Sequence, residues 1–244
     1  MNENDDYEVV NLSTKVTDED LANGIEDEYG VSYSPDGKRL LKGNDELETY
    51  QVRPGTKVIC DWAFDWCTSL QRITLPAGLT SIGFEAFKEC KSLREITLPK
   101  SLRRMGANPF LCCGITNIVS ESPRFKVVGN GLYNADSTHL ISYFGKEAFV
   151  TLPTGLTSIG DGAFSWCDSL LQITLPAGVT CIGDEAFYGC KSLREISMPA
   201  SLDSIEKGAF SRCDTLWRII IPNGSREKFQ EMLPKGLHDI LIEE

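Results

Sequence analysis

The residues of this chain that could do chemistry are nine cysteines, two histidines and a large number of carboxylates. None of the cysteines form a C-x-x-C pair, so the sequence gives no support to a zinc site or a dithiol redox site. Most of the cysteines instead recur at a spacing of 23 residues. The repeating ones are Cys67, Cys90, Cys113, Cys167, Cys190 and Cys213, and the others are Cys60, Cys112 and Cys181.

We expect the repeating cysteines to form an inward-facing ladder of free thiols. If successive copies stack as parallel strands do, neighbouring side chains lie about 5 Å apart. That keeps their Cβ atoms beyond the mean separation of about 3.8 Å that a disulfide needs. An odd number of unpaired thiols also agrees better with a reducing compartment than with an oxidising one.

The histidines do not point to catalysis. Neither His139 nor His238 accompanies a G-x-S-x-G or H-E-x-x-H motif, and we interpret His139 as an exposed residue of a hairpin strand. The G-N-G at 129–131 is interpreted as a turn, and Asp184 and Glu185 as surface turn residues. The sequence therefore predicts no enzyme, no cofactor and no metal site.

An internal repeat organises the chain. The segments LPTGLTSIGDGAFSWCDSLLQITLP (152–176), LPAGVTCIGDEAFYGCKSLREISMP (175–199) and MPASLDSIEKGAFSRCDTLWRIIIP (198–222) are near copies. A fixed period in this range is typical of a solenoid. The alternation around Ile196 predicts a short strand over Ser192–Met198, which the following proline ends. Phenylalanines mark six copies with a period of 23: Phe64, Phe87, Phe110, Phe164, Phe187 and Phe210.

A second period of 100 residues relates the first three copies to the last three. We divide the solenoid into a first module (residues 29–128) and a second module (residues 129–222), each a hairpin insert followed by three coils. The hairpins are expected around Pro35-Asp36-Gly37 and over Gly131–Tyr143. Residues 1–28 form an acidic N-terminal arm, where Thr17 and Asp20 predict a helix start. Residues 223–244 form a C-terminal cap with a helix over Ser225–Leu233 and a last edge strand over His238–Ile242.

The repeat L-P-x-x-L-T-x-I-G-x-x-A-F-x-x-C-x-S-L-x-x-I-x-L-P resembles the BspA-type leucine-rich repeat, a 23-residue bacterial class. Leu75–Pro99 and Leu175–Pro199 fit it at nearly every defined position. The resemblance implies a mainly β, α/β-type fold: a right-handed leucine-rich-repeat stack of six coils with two β-hairpin inserts and a C-terminal helical cap. It also implies a bacterial surface or secreted protein that binds host matrix proteins or other cells, and it brings no catalytic motif.

Composition and charge narrow the range of partners and compartments. The hydrophobic content of 41% suffices for one continuous core. Of the formal net charge of −11, residues 1–28 carry −9, so the solenoid is nearly neutral and has no basic stripe for nucleic acid. We interpret the acidic arm as a solvated cap. The sequence contains no run of about 18 apolar residues, so it predicts no membrane span. No signal peptide is visible at Met1. These features favour the cytoplasm, whereas the resemblance favours the cell surface.

Two sets of residues are candidates for binding. The outward face of the predicted sheet carries one column of mixed charge, Arg72, Glu95, Asn117, Gln172, Glu195 and Arg218, which is interpreted first as a solvated surface with stacked rungs. The second set is Trp62, Trp66 and Trp166, which stand two residues before or after a marker phenylalanine. Exposed indoles there would form a docking patch. We favour the alternative that the preceding hairpin covers them, with Trp66 and Trp166 in equivalent places.

The sequence therefore predicts a non-enzymatic protein-interaction scaffold whose partner is a protein or a glycan. An adhesion or host-interaction role is the form that the resemblance suggests. Two other functions stay open: an array protein that associates end to end or laterally, and an enzyme subunit whose site lies in the hairpins.

Overall fold

A computed structural model describes residues 12–244. The chain forms a mainly β solenoid, as the repeat predicts, and the stack has about nine turns where six coils were expected. The first eleven residues of the acidic arm lie outside the described residues. The rest of the arm packs on the first coil, where Leu12 and Val16 contact a small cluster of Leu41, Val58 and Cys60.

The strands are short, and most belong to coils. Those before residue 121 are β1 (Ile25–Glu26), β2 (Ser32–Tyr33), β3 (Arg39–Lys42), β4 (Thr49–Gln51), β5 (Val58–Ile59), β6 (Arg72–Thr74), β7 (Ser81–Ile82), β8 (Glu95–Leu98), β9 (Arg104–Met105) and β10 (Asn117–Ser120). Those after it are β11 (Phe125–Val128), β12 (Gly131–Asn134), β13 (His139–Tyr143), β14 (Phe149–Val150), β15 (Ser158–Ile159), β16 (Gln172–Thr174), β17 (Cys181–Ile182), β18 (Glu195–Ser197), β19 (Ser204–Ile205), β20 (Arg218–Ile221) and β21 (Leu241–Glu243).

Residues 12–244 contain two α-helices, one near each end of this range. Helix α1 (Asp18–Ala22) starts with the predicted capping box, in which Thr17 and Asp20 satisfy each other's backbone N–H groups. Helix α2 (Arg226–Met232) buries Phe229 against the last coil, and a 3-10 helix (Lys235–Ile240) leads into β21. β21 pairs in parallel with β20, so the predicted cap adds one more rung to the sheet.

The coils of the second module each contribute one strand to each of two sheets, and the coil strands of both sheets pair in parallel. In the second module, Gln172, Glu195 and Arg218 lie side by side on one sheet. The second sheet is built from two-residue strands such as Cys181–Ile182, whose alternation is too short to be recognised in the sequence. The observed β18, Glu195–Ser197, is shorter than the predicted Ser192–Met198.

A ladder of marker phenylalanines fills the far corner of the coils. Phe164 and Phe187 stack with ring centroids 5.1 Å apart and planes 4° apart, and both rings are fully buried. Phe64 and Phe87 stack in the same way at 5.4 Å. Because one apolar residue per coil covers the next, no single coil could keep its core dry without its neighbours.

The hairpins are more than inserts, which corrects the sequence interpretation. β2 and β3 form the first predicted hairpin, and β12 and β13 form the second. The second strand of each then pairs in parallel with the next coil, β3 with β5 and β13 with β15. Each hairpin therefore ends in one further turn of the solenoid, which is why the stack exceeds six coils.

The expectation of one continuous core is wrong. The buried residues form two large clusters, and the second hairpin lies between them. Leu132 and Ile141 belong to the cluster of the first module, whereas Tyr133 and Leu140 belong to that of the second. Since successive side chains of a strand point to opposite faces, one hairpin serves as a wall of both cores.

Among residues 12–244, no helix has both the length and the apolar character needed to cross a membrane.

Candidate interaction surface

The outer turn of every coil has an unusual backbone. Positive φ angles occur at the positions two residues before and two residues after every marker phenylalanine. Three of these positions are glycines, and the full set is 62, 66, 85, 89, 108, 112, 162, 166, 185, 189, 208 and 212. For a residue other than glycine this conformation is uncommon and costs about 1–2 kcal/mol. A repeated gain elsewhere must offset that cost.

Hydrogen bonds between coils supply the gain. In the first coil the N–H groups of Trp62, Phe64 and Trp66 donate to carbonyls of the next coil, at 2.9, 2.8 and 2.9 Å. The intervening N–H groups bond within the turn, as Ala63 does to Cys60 at 3.2 Å. The alternating backbone thus presents every second donor to the neighbouring coil. Trp62, Trp66, Glu185 and Arg212 are exposed at these positions, as the sequence predicts for the variable slots, whereas Asn108 is buried.

The cysteine ladder completes the same corner. The thiols of Cys90 and Cys190 donate to the carbonyls of Phe64 and Phe164 in the preceding coils, at 3.2 and 3.1 Å. All nine cysteines are free, which confirms the prediction. Burial raises the pKa of Cys60 to about 11 and that of Cys67 to about 12, so these thiols are protonated at neutral pH.

The first coil carries two exposed tryptophans on its outer turn. Trp62 is 50% exposed and Trp66 is 57% exposed. The Trp62 ring meets Phe84 edge-on at 5.3 Å, and its Nε1 donates to Glu85 at 3.2 Å. We call Trp62 and Trp66 together the tryptophan patch.

The expectation that the hairpins cover the tryptophans is wrong for Trp66, whose ring is more than half exposed. Its positive φ turns the side chain outward, towards the following coil, where Lys91 Nζ lies 5.6 Å from the ring centre. The contacts of Trp166 are also to the following coil, with Tyr188 edge-on at 5.5 Å and Lys191 over the ring at 4.8 Å. The two residues do occupy equivalent places, with φ of 59° each.

One neighbour explains why Trp166 is half-buried and Trp66 is not. A Cβ atom at Gly189 would lie 3.0 Å from the Trp166 ring, so the indole settles against a position that has no side chain. The equivalent position after Trp66 is Glu89, which carries a side chain and pairs with Lys91 at 2.9 Å. The next coil along the stack thus contributes to the exposure of these indoles.

The charged column lies on the outward face of the sheet, as predicted. Arg72 and Glu95 are exposed in the first module. In the second module, Gln172 Nε2 donates to Glu195 Oε1 at 2.6 Å, and Arg218 Nη1 donates to Glu195 Oε2 at 3.1 Å. Arg218 also pairs with Glu244. These groups satisfy one another, which agrees with a solvated face whose rungs stack.

His139 differs from its prediction as an exposed residue. Its strand, β13, pairs in parallel with β15, so the ring is half-buried and Nδ1 lies 2.8 Å from Ser158 Oγ. Burial lowers the pKa of this imidazole, which favours the neutral form. Among the described residues, no group of three or more His, Cys, Asp or Glu could hold a metal ion.

Sequence reasoning missed several features of this surface. Trp217, 60% exposed beside the sheet, was not identified as a candidate. Positive φ at the outer turns could have been inferred, because Gly162, Gly189 and Gly208 occupy slots that other coils fill with larger residues. The lysines that lie over Trp66 and Trp166 could not, since their position depends on how neighbouring coils stack.

A family model decides the classification. The model described as the BspA type leucine rich repeat region matches residues 57–149 and 142–233 as six copies. The chain belongs to the BspA-type leucine-rich repeat family. No curated protein matches it.

Solved structures of bacterial leucine-rich repeat proteins resemble this BspA-type chain. A leucine-rich cell surface protein of Faecalibacterium prausnitzii is 28% identical, with a TM-score of 0.50 over 76% of this chain and 62% of that one. The pneumococcal vaccine antigen PcpA is 23% identical, with a TM-score of 0.64 over 74% of this chain and 52% of that one. A leucine-rich repeat protein of Eubacterium ventriosum is 24% identical, with a TM-score of 0.53 over 82% and 70%. The chain thus spans less than two thirds of the length of the first two.

Proposed function

We propose that this BspA-type chain is a non-enzymatic scaffold that binds a protein partner through the tryptophan patch. The observation that carries the proposal is the exposure of Trp62 and Trp66 on one outer turn. Tryptophan is enriched among residues that dominate binding energy, because it offers a large rigid surface at low cost in conformational entropy. Although Trp62 contacts Phe84 and Glu85 and Trp66 lies near Lys91, half or more of each residue is left open to a partner.

The backbone favours a patch that is ready to bind. Both indoles extend from a turn whose N–H groups are bonded to the next coil, so the turn is fixed before a partner arrives. A preformed surface loses less freedom on binding than a mobile one. The side chains of Gln172, Glu195 and Arg218 hydrogen-bond to one another and so offer a partner fewer unpaired groups. We therefore do not assign the main binding site to this column.

A surface-binding experiment tests the patch. Purified chain is measured against immobilised extracellular-matrix proteins and a glycan array, beside the double variant Trp62→Ala/Trp66→Ala. The matched control is Trp217→Ala, which removes an exposed indole of similar accessibility from another face. We expect a ligand whose binding weakens at least tenfold in the double variant only. Equal weakening in the control, or an unchanged double variant, would contradict the proposal.

Adhesion at the cell surface is the more specific form of this proposal. It is supported by the Faecalibacterium prausnitzii relative, which is named as a cell surface protein. The nine free thiols agree instead with the cytoplasm. Fractionation of the producing cell, combined with labelling of intact cells by an impermeant amine reagent, distinguishes the two locations. Labelling of the chain only after lysis would overturn the adhesion role.

A further inference from the structure

We propose that a cleft at the junction of the two modules binds an acidic, partly apolar peptide segment of a partner protein. The cleft has a volume of about 750 Å³, within the range of natural ligand sites. Residues 89–114 of the first module form one wall, and residues 143–146 and 165–191 of the second form the other. It exists because the 23-residue period breaks at this point. The inference rests on the proposed binding function and adds a second site with a defined partner chemistry.

Positive charge is the first argument. Lys91, Arg94, Lys146 and Lys191 line the cleft, against the two carboxylates of Glu89 and Asp168. Only one of these carboxylates is closely paired, since Glu89 lies 2.9 Å from Lys91 and Asp168 lies 3.9 Å from Lys191. In a chain that is acidic as a whole, a cationic cleft is a local exception that attracts carboxylates.

Arg94 and Lys146 each have N–H groups that make no hydrogen bond within residues 12–244. Arg94 Nη1 donates to the carbonyls of Lys91 and Gly114, at 3.0 and 2.9 Å, which fixes the plane of the guanidinium group. Its other nitrogens, and the Lys146 ammonium, have no hydrogen-bond or ion-pair partner among residues 12–244. A fixed guanidinium with open N–H groups suits a carboxylate, which it can bind through two parallel hydrogen bonds.

The remaining lining favours a peptide over a sugar. Trp166 lies against Gly189 and under Lys191, so a sugar ring would have to displace the lysine before it could stack on the indole. The half-buried thiol of Cys112 offers neither charge nor a nucleophile near neutral pH, because burial raises its pKa to about 12. Apolar side chains of a peptide could contact Phe144 and the edge of Trp166 without displacing anything.

Two unpaired strand edges continue from the cleft. β10 pairs only with β8, and β14 pairs only with β16, so each presents one open edge at the junction among the described strands. β10 starts three residues after Gly114, and β14 starts three residues after Lys146. Each displays an exposed apolar residue, Val119 at 47% and Phe149 at 67%. An extended peptide that leaves the cleft can add to such an edge, which a sugar cannot.

Fluorescence anisotropy tests the inference with a defined probe. The probe is a fluorescein-labelled octapeptide of alternating glutamate and leucine, titrated with the full chain. We expect saturable binding that weakens as salt rises from 50 to 500 mM, as for charged groups near the surface. Lys146→Glu and Lys191→Glu should each weaken binding at least tenfold. Lys100→Glu, at an exposed turn outside the cleft, should leave it unchanged.

The controls separate this site from the tryptophan patch. Trp62→Ala/Trp66→Ala should bind the octapeptide normally, so a failed patch and a failed cleft give different results. Circular dichroism confirms that the charge variants fold. Equal binding of a lysine–leucine octapeptide, or normal binding by Lys146→Glu and Lys191→Glu, would overturn the inference. Binding of a uronic-acid oligosaccharide in place of the acidic peptide would also overturn it and assign the cleft to glycans.

Discussion

At the scale of single residues, the outer turns show how one coil decides the environment of a side chain in the coil before it. Trp166 settles against Gly189, whereas the position equivalent to Gly189 in the coil after Trp66 is Glu89, and Trp66 remains exposed. Gly189 is thus selected twice, for its φ of 68° and for the space it leaves. Glu89 and Gly189 have the same backbone conformation, so comparing them shows the effect of a side chain at this position.

We therefore predict that Gly189→Ala expels the Trp166 indole. The new Cβ would lie 3.0 Å from the ring, and the positive φ adds a cost of about 1 kcal/mol to the free energy of folding. The measurement is tryptophan emission and acrylamide quenching in a chain whose other tryptophans are phenylalanine. We expect a red shift and stronger quenching.

The reverse substitution provides the control for that prediction. Glu89→Gly, in a chain that keeps only Trp66, should shift emission to the blue as the indole settles. If neither variant changes the emission, the residue in the next coil does not set indole exposure.

The buried thiols give a second prediction at this scale, on alkaline stability. The folded-state pKa values of Cys60 and Cys67, about 11 and about 12, lie above the value of about 8.5 for an unfolded thiol. The stability that these protonated thiols give the folded state is fully present below about pH 8.5. It is lost as the pH rises towards the folded-state pKa, because the unfolded chain releases its thiol protons first. We expect the free energy of unfolding to fall by up to about 1.4 kcal/mol per pH unit for each such thiol.

Urea unfolding between pH 7 and pH 9.5 measures this loss. Cys60→Ala should reduce the slope above about pH 8.5, because one titrating thiol is gone. An identical slope in the variant and the parent would show that other groups govern the alkaline limit.

At the scale of elements, the coils were predictable and their junctions were not. Ile196 and its counterparts repeat every 23 residues, so the pattern alone places one strand in each coil. The hairpins were predictable from Pro35-Asp36-Gly37 and the 100-residue offset. What followed each hairpin was not, because the parallel pairing of β13 with β15 involves only His139 and Leu140. The tryptophan slots were found in the sequence, whereas the cleft was missed because it arises where the period is interrupted.

The second hairpin yields an element-scale prediction. Leu140 and Ile141 are neighbours on β13, yet Leu140 belongs to the core of the second module and Ile141 to that of the first. We expect Leu140→Ala and Ile141→Ala each to destabilise the chain by about 2–5 kcal/mol. Hydrogen exchange should show the loss of protection mainly in residues 150–222 for Leu140→Ala and in residues 50–120 for Ile141→Ala. Equal loss in both regions from either variant would show that the two cores open together.

At the scale of the whole molecule, two cores share one wall, and a buried asparagine fastens the modules together. Asn108 is 4% exposed and stands at one of the positive-φ positions, with φ of 36°. Its Nδ2 donates to the carbonyl of Gly162 at 2.5 Å, and its Oδ1 accepts from Ser142 Oγ at 2.7 Å. Between regular coils, backbone N–H groups donate to carbonyls of the next coil. Where the period breaks, the Asn108 side chain makes the bond to the next module instead.

We predict that Asn108→Ala weakens the coupling between the modules more than it weakens either module. Removal of the amide leaves the buried Ser142 hydroxyl without its partner, at a cost of about 1–3 kcal/mol. It also removes the bond to the Gly162 carbonyl that crosses between the modules, although that carbonyl keeps its bond from the Ser165 N–H at 2.8 Å. The tryptophans report on the two halves separately, Trp62 and Trp66 on the first and Trp166 and Trp217 on the second. In the parent, urea unfolding followed through either pair should give one coincident transition. In Asn108→Ala the two transitions should separate, whereas Asn117→Ala, on the exposed face of β10, should leave them coincident. Coincident transitions in Asn108→Ala, with only a lower midpoint, would show that the shared hairpin alone couples the two modules.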